Sequence, residues 1–186
     1  MPGLTFLRAL GCSGLIIMMT ASGASAENLK EFHARDGSYS YKYPGNFGIS
    51  TMFADGTGDP MGVTASTPEN GDVLIEMYSM NIRAVKTVTE QTMEAYAAQY
   101  VSDLTDRKTH FVSRKPTQMF GRLAVDMTFD EAMVFGTSKT MRTRRIIATI
   151  AGGKDYFLIC LYRNDRTQFA PACETAAKTA RLTKGG

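Results

Sequence analysis

The 186-residue sequence has no tryptophan and only two histidines, His33 and His110. Because serine hydrolases and many acid–base sites depend on a histidine held beside other polar groups, this shortage argues against nucleophilic catalysis. The Gly-x-Ser-x-Gly motif of hydrolases is also missing. We therefore expect a protein that is not an enzyme and that needs no cofactor. A hydrolase built on Asp126 and Asp130, which would share one face of a strand, is the weakest alternative.

An excess of charge of either sign is missing as well. The chain has 21 basic and 18 acidic side chains, which leaves a formal net charge of +3. Residues 1–26 contribute one basic and no acidic side chain, so the rest of the chain carries only +2. This excludes recognition of nucleic acid or of an anionic membrane by bulk charge, and a partner must instead be recognised by a local cluster.

Residues 1–26 have the three-part pattern of a secretory signal peptide. Arg8 is their only charged residue, an apolar run covers Ala9–Thr20, and the small residues that end at Ala26 match a cleavage site. The run is shorter than the roughly 20 residues that a membrane-spanning helix needs. We predict cleavage after Ala26 and a periplasmic or secreted protein. A lipoprotein modified at Cys12 is the alternative.

The chain that follows the signal is expected to form a single domain over residues 27–183, with 184–186 as a tail. A chain of this length can bury about 70% of its unfolded surface, which is sufficient for one core. Among residues 27–186 no apolar run is long enough to span a bilayer. The sequence does not predict an oligomeric state.

Cys160 and Cys173 are the two cysteines outside the signal. Cys160 lies in an apolar strand and Cys173 on the apolar side of a predicted helix that folds back over it. In an oxidising compartment we expect a disulfide between them, which stabilises the fold by about 3 kcal/mol in the chain-entropy model. Two buried free thiols are the alternative. A redox-active role is disfavoured because there is no Cys-x-x-Cys motif.

Hydrophobic periodicity predicts strands, a helix, more strands and a final helix. The predicted strands cover 38–43, 47–53, 63–66, 72–82, 110–118, 121–134, 138–151 and 155–162, and the predicted helices cover 89–105 and 168–182. Thr87 and Glu90 have the spacing of a capping box for the first helix. The strand 155–162 is apolar on both faces, so helices should cover the sheet on both sides. The predicted fold class is α+β, with a central antiparallel sheet and helices on its faces.

Two segments resemble the PsbP/Mog1/DcrB-like superfamily. Gly37-Ser-Tyr-Ser-Tyr-Lys-Tyr-Pro44 is similar to its opening strand, and Phe120-Gly121-Arg-Leu-Ala124 is similar to the strand start that follows its middle helix. The resemblance covers roughly residues 30–183. It implies an α/β/α sandwich and a non-enzymatic accessory or binding protein, as in a photosystem subunit, a small-GTPase-binding protein and bacterial envelope proteins. The superfamily shares no catalytic residues that could be assigned here.

The most visible polar feature is a basic cluster on one predicted strand, formed by Lys139, Arg142, Arg144 and Arg145. Strand alternation places Arg142 and Arg144 on one face and Arg145 on the other. Lys115 and Arg122 are candidates to join them. The cluster is our candidate partner surface for an anionic ligand or an acidic protein. The alternative is a solvated strand face that protects a sheet edge from aggregation.

Two further patterns predict ligands of other kinds. Asp55 and Asp59 flank a glycine-rich stretch that suits Ca²⁺, although the series lacks the further ligands of an EF-hand, so a solvated loop is favoured. The nine methionines outside the signal and Tyr39, Tyr41 and Tyr43 could line an apolar groove. We expect an exported, non-catalytic accessory or binding protein whose partner is another envelope or secreted protein. The alternative is a carrier of a small apolar ligand or lipid, with a pocket between helix 89–105 and the sheet.

Overall fold

A computed structural model describes residues 28–54, 60–65, 73–81, 85–106, 108–135, 138–165 and 167–183. The predicted signal peptide, the Asp55–Asp59 loop and the tail at 184–186 lie outside the described residues. Within the described part of the chain, no helix has the length and apolar character needed to cross a membrane.

The elements alternate much as the sequence predicts. In chain order they are β1 (Leu29–His33), β2 (Tyr39–Pro44), β3 (Phe47–Ala54), β4 (Pro60–Ala65), β5 (Val73–Asn81), α1 (Met93–Leu104), β6 (Thr109–Met119), β7 (Arg122–Phe135), β8 (Ser138–Ala151), β9 (Lys154–Arg163), α2 (Ala170–Thr179) and β10 (Arg181–Leu182). A 3-10 turn at Thr167–Phe169 leads into α2, and Pro171 occupies the first turn of that helix, where its missing N–H is tolerated.

Seven strands form one antiparallel sheet in the order β3-β4-β5-β9-β8-β7-β6. The fourth position belongs to β9, the strand that is apolar on both faces. Its side chains divide between two cores: Tyr156, Leu158, Cys160 and Tyr162 face one, while Phe157, Ile159 and Leu161 face the other. The helix α1 packs in the second core and α2 in the first. The predicted α+β class with helices on both faces of an antiparallel sheet is therefore confirmed.

A second, smaller sheet covers part of the α2 face. It has three strands in the order β1-β2-β10. Its tyrosines point into the α2-side core, where the hydroxyl of Tyr41 donates to the Ile75 carbonyl at 3.1 Å and that of Tyr39 donates to Met77 O. Tyr39, Tyr41 and Tyr43 are all buried, so they fill the core instead of lining a groove.

The first helix begins later than predicted, at Met93 instead of residue 89. The carbonyl of Thr89 accepts hydrogen bonds from the N–H groups of Thr92 and Met93, and the Thr92 hydroxyl donates to the Thr87 carbonyl at 2.6 Å. These bonds form a turn before the helix. The N-cap is Thr92, without a side-chain cap bond, so the predicted capping box at Thr87 and Glu90 is wrong.

Candidate functional site

The basic cluster lies on β8 and is divided between the two faces of the main sheet. Ile146 belongs to the α1-side core and Ile147 to the α2-side core. Because side chains alternate along a strand, Arg142 and Arg144 lie on the α1 face and Arg145 on the α2 face. Lys139 shares the parity of Arg145 and is exposed near the end of the β7–β8 hairpin. The four residues therefore do not form one surface.

On the α1 face, two arginines share one carboxylate. Arg142 Nη2 and Arg144 Nη2 lie 2.8 and 2.9 Å from Glu131 Oε2, and Arg142 Nε also donates to that oxygen at 2.9 Å. The side chains of Arg142 and Arg144 are 21% and 24% exposed. One carboxylate cannot neutralise two guanidinium groups, so this group keeps a positive charge within reach of solvent. We call Arg142, Arg144 and Glu131 the arginine face.

Next to the arginine face lies a buried acid, Glu76 on β5. Glu76 is 9% exposed, and among the described residues neither its Oε2 nor the Nε of Arg144 has a hydrogen-bond partner, although both atoms are buried. Burial raises the pKa of Glu76, and the positive charge of Arg144 partly opposes that rise. The floor between them belongs to β9, where Ile159 pairs with Glu76 and Leu161 pairs with Arg144.

Arg145 has a different environment on the α2 face. Its Nε and Nη2 donate to Asp126 Oδ1 and Oδ2 at 2.9 and 2.7 Å, and its Nη1 lies 3.5 Å from Glu174 Oε1 on α2. The arginine side chain is 11% exposed and that of Asp126 only 1%. The hydrogen bonds to Asp126 raise the pKa of Arg145. Arg145 therefore joins α2 to the sheet and is not available to a partner, which corrects its place in the candidate surface.

The two basic residues expected to join the cluster lie elsewhere. Lys115 Nζ lies 3.7 Å from Asp126 Oδ2 and so belongs to the α2 face. Arg122 has the parity of Asp126 on β7 and begins that strand at an exposed position.

The hydrolase alternative loses its basis here, since Asp126 is occupied by Arg145. Asp130, the other carboxylate, accepts a long contact from Asn164 Nδ2 at 3.4 Å.

The topology also rules out the edge-protection interpretation of β8. That strand lies between β9 and β7 in the interior of the sheet, and the edges are β3 and β6. The edge strand β6 carries its own protection, with a register shift between Phe111 and Ser113 followed by Lys115 and Pro116. The arginines on β8 therefore do not guard an unpaired backbone.

The cysteines meet beside Arg145. The Sγ atoms of Cys160 and Cys173 lie 1.96 Å apart and the Cα atoms 6.0 Å apart, and both side chains are buried. Cys160 is the direct partner of Arg145 in the β8–β9 register. The disulfide and the Arg145–Glu174 contact thus connect α2 to the same place on the sheet.

The interface between α1 and the sheet is filled by aromatic side chains around a buried acid. Asp155 is fully buried and accepts a hydrogen bond from the Tyr100 hydroxyl at 2.9 Å and a longer one from Tyr96 at 3.4 Å. The ring of Tyr100 packs edge-on against Phe157 at 5.0 Å. The pKa of Tyr96 is raised, first by burial and then by the neighbouring Tyr100 and Asp155. Its hydroxyl therefore stays a donor at neutral pH. This packing gives no support to a carrier pocket at this interface.

The histidines and acids do not assemble a metal site in the described parts of the chain, where no group of three or more His, Cys, Asp or Glu side chains is close enough to hold an ion. His33 lies 3.8 Å from Glu31 on β1, and His110 is exposed on the edge strand β6. The Ca²⁺ interpretation of Asp55 and Asp59 falls on residues outside the described ranges.

Comparison with known proteins gives a fold and no family assignment by sequence. No protein-family profile matches the chain, and no curated protein matches it. Cyanobacterial PsbP from Synechocystis superimposes with a TM-score of 0.56 at 15% identity, over 89% of this chain and 99% of that one. The Saccharomyces cerevisiae Ran-binding protein Mog1p gives 0.55 at 9% identity, over 84% and 96%. LpqN of Mycobacterium tuberculosis gives 0.50 at 9% identity, over 84% and 92%. The chain thus has the PsbP/Mog1-like fold that the resemblance implies.

Proposed function

We propose that this protein is an exported, non-catalytic accessory or binding protein that contacts an acidic partner through the arginine face. The observation that carries the proposal is the shared carboxylate: Arg142 and Arg144 both bind Glu131. A guanidinium has five N–H donors in a planar fork that fits carboxylates. The donors left over after the contacts to Glu131 are suited to an acidic side chain from outside.

The partial burial of the arginine face should strengthen its hydrogen bonds to an acidic partner. The two arginines stand on an apolar floor that includes Leu161 of β9 and Phe129 of β7, both buried. Charged hydrogen bonds gain strength where part of the surrounding water is excluded. An interior strand also holds the guanidinium groups in place, so less side-chain entropy is lost on binding than at a mobile loop.

Export of the protein rests on two features that agree. Residues 1–26 have the pattern of a cleaved signal peptide, which predicts release after Ala26. The disulfide between Cys160 and Cys173 is compatible with the oxidising periplasm or cell exterior, where disulfides persist. Among the structural neighbours, LpqN is involved in cell envelope biogenesis, which fits an exported protein, and Mog1p is Ran-binding, which fits a role in binding another protein. The partner of this protein would then be another envelope or secreted protein.

The test is crosslinking and pull-down of the mature protein in its native envelope, with three proteins compared. The variant Arg142→Ser/Arg144→Ser should lose the crosslinked partner, whereas Lys139→Ser, which removes an exposed positive charge from the other face, should retain it. Thermal unfolding of each variant verifies that the fold is intact. Equal capture by all three proteins would contradict the proposal, and so would release of the partner only by Lys139→Ser.

A further inference from the structure

Glu76 is a buried acid in the middle of a strand of the main sheet, and one of its carboxylate oxygens lacks a hydrogen-bond partner among the described residues. Within the part of the chain that the structure describes, its Oε2 accepts no hydrogen bond, and its neighbour in the β4 register is Gly62, which offers no side chain. Buried carboxylates are normally paired or hydrogen-bonded, because an unpaired buried charge is strongly unfavourable. This glutamate therefore calls for an explanation in terms of the groups around it.

Arg144 stands between two carboxylates. Its Nη2 contacts Glu131 on one side, while its buried Nε has no hydrogen-bond partner in the described residues and remains for a group on the other. Glu76 lies on that same face two strands away, across β9. An unpartnered donor and an unpartnered acceptor of opposite charge thus lie on one face of the sheet, two strands apart, and Arg144 is the charged side chain whose field acts on Glu76.

Several of the other charged and titratable groups around Glu76 have partners of their own. Its flanking strands β4 and β9 place Gly62, Thr64, Ile159 and Leu161 on this face, none of which titrates. In the described part of the chain, the other charged or titratable groups on this face or on α1 include Tyr78, Arg142 and Glu131, Arg163 paired with Asp165, Glu94 paired with Arg114, Asp103, and Tyr96 and Tyr100, which both bind Asp155. Tyr41 approaches from the opposite face, where its hydroxyl donates to Ile75 O.

We propose that Glu76 competes with an acidic ligand for Arg144, so that binding at the arginine face is accompanied by uptake of a proton on Glu76. This inference rests on the proposed function and specifies its regulation. An anion that reaches Arg144 places a second negative charge beside the carboxylate of Glu76. Repulsion between the anion and the Glu76 carboxylate favours the protonated, neutral form of Glu76. The anion is then the negative charge that interacts with Arg144 on this side.

The direction of the pH dependence follows from this linkage. When Glu76 is ionised, its negative charge partly cancels the positive potential of Arg144, and the affinity of the site for anions is lower. When Glu76 is protonated the site carries one more net positive charge. Affinity for an anion should therefore rise as the pH falls through the range in which Glu76 titrates, and that range is already displaced upward by burial.

Inorganic sulfate is a suitable probe because it does not itself take up protons above about pH 3. The full mature protein is titrated with sodium sulfate at constant ionic strength, at several pH values. NMR follows the side-chain Nε–H signals of Arg142 and Arg144 and the Cδ signal of Glu76. We expect saturating sulfate to raise the midpoint of the Glu76 titration. By linkage, a rise of 0.5 corresponds to about a threefold difference in sulfate affinity between low and high pH.

The variant Glu76→Gln should bind sulfate more tightly than the wild type at high pH and should lose the pH dependence. Glu94→Gln removes an exposed acid on α1 and serves as the matched control, with the pH dependence unchanged. A sulfate-dependent shift at Arg144 with an unmoved Glu76 midpoint would overturn this inference alone. Absence of any sulfate-dependent shift at both arginines would overturn it together with the anion-binding role of the arginine face.

Discussion

The buried pair of Asp126 and Arg145 gives the sharpest stability prediction. Replacing Arg145 with Met removes both guanidinium hydrogen bonds from an acid whose side chain is only 1% exposed. Losing one partner of a buried ion pair costs about 3–5 kcal/mol, because the other charge is left without compensation. Lys115 remains 3.7 Å from Asp126 but is largely exposed, so it offsets only a small part of the loss. We expect Arg145→Met to destabilise the fold by about 3 kcal/mol.

A loss of that size is easily measured. In a domain of this length each kcal/mol corresponds to about 2–4 °C in Tm, so the variant should melt roughly 6–12 °C lower. Urea unfolding of the wild type, Arg145→Met, Asp126→Asn and the double variant completes a double-mutant cycle. The double variant should be more stable than the sum of the single losses implies, because no buried charge is then left alone.

The matched control is Arg142→Met on the same strand. Arg142 shares its carboxylate with Arg144 and is more exposed, so its removal should cost at most about 1 kcal/mol. If Arg145→Met and Arg142→Met prove equally mild, or if the cycle is additive, then Asp126–Arg145 does not act as a buried pair. The distinction between a structural Arg145 and a partner-binding Arg142 and Arg144 on β8 would then be contradicted as well.

Two further predictions concern the attachment of the helices. Replacing Cys160 and Cys173 together by Ala should lower the free energy of unfolding by about 3 kcal/mol, measured in urea, and reductant should reach the native disulfide only after unfolding because both sulfurs are buried. Tyr100→Phe should cost about 2 kcal/mol, since it removes a donor to the buried carboxylate of Asp155, and Tyr96→Phe should cost less because its contact is longer. Thermal unfolding of the two Phe variants checks the order, and a larger loss for Tyr96→Phe would contradict it.

Local pattern was enough to predict the strands of the main sheet, but not the pairing of β5 with β9. Strand alternation and glycine-containing breaks defined β6 to β9, and the two-sided apolar run of β9 located the centre of the sheet. The small sheet could not be predicted in the same way. The strand β10 has only two residues, and it pairs Arg181 with Ser40 from the other end of the chain. A strand this short has no periodicity, and its pairing depends on where α2 places the end of the chain.

The pairing of Arg142 with Glu131 can be predicted from the positions of the two residues in neighbouring strands, although composition alone does not indicate it. Two residues connect Phe135 to Ser138, and this tight connection fixes the register of β7 against β8. Counting back along both strands places Glu131 directly opposite Arg142. The contact between Arg145 and Asp126 is diagonal, and the burial that makes it structural depends on α2, which only the tertiary structure reveals.

The arginine face is difficult to explain as a purely structural feature. A network that serves stability alone would supply an acceptor for each buried donor, as Asp126 does for Arg145. On the α1 face two arginines share Glu131, and a second acid, Glu76, has an oxygen that accepts no hydrogen bond from the described residues. A buried acid with an unpartnered oxygen costs stability. Protection of a sheet edge cannot account for that cost, because β8 is an interior strand. The proposed acidic partner would supply the acceptor that Arg144 Nε lacks, and the proposed uptake of a proton on Glu76 would set the pH at which that partner binds best.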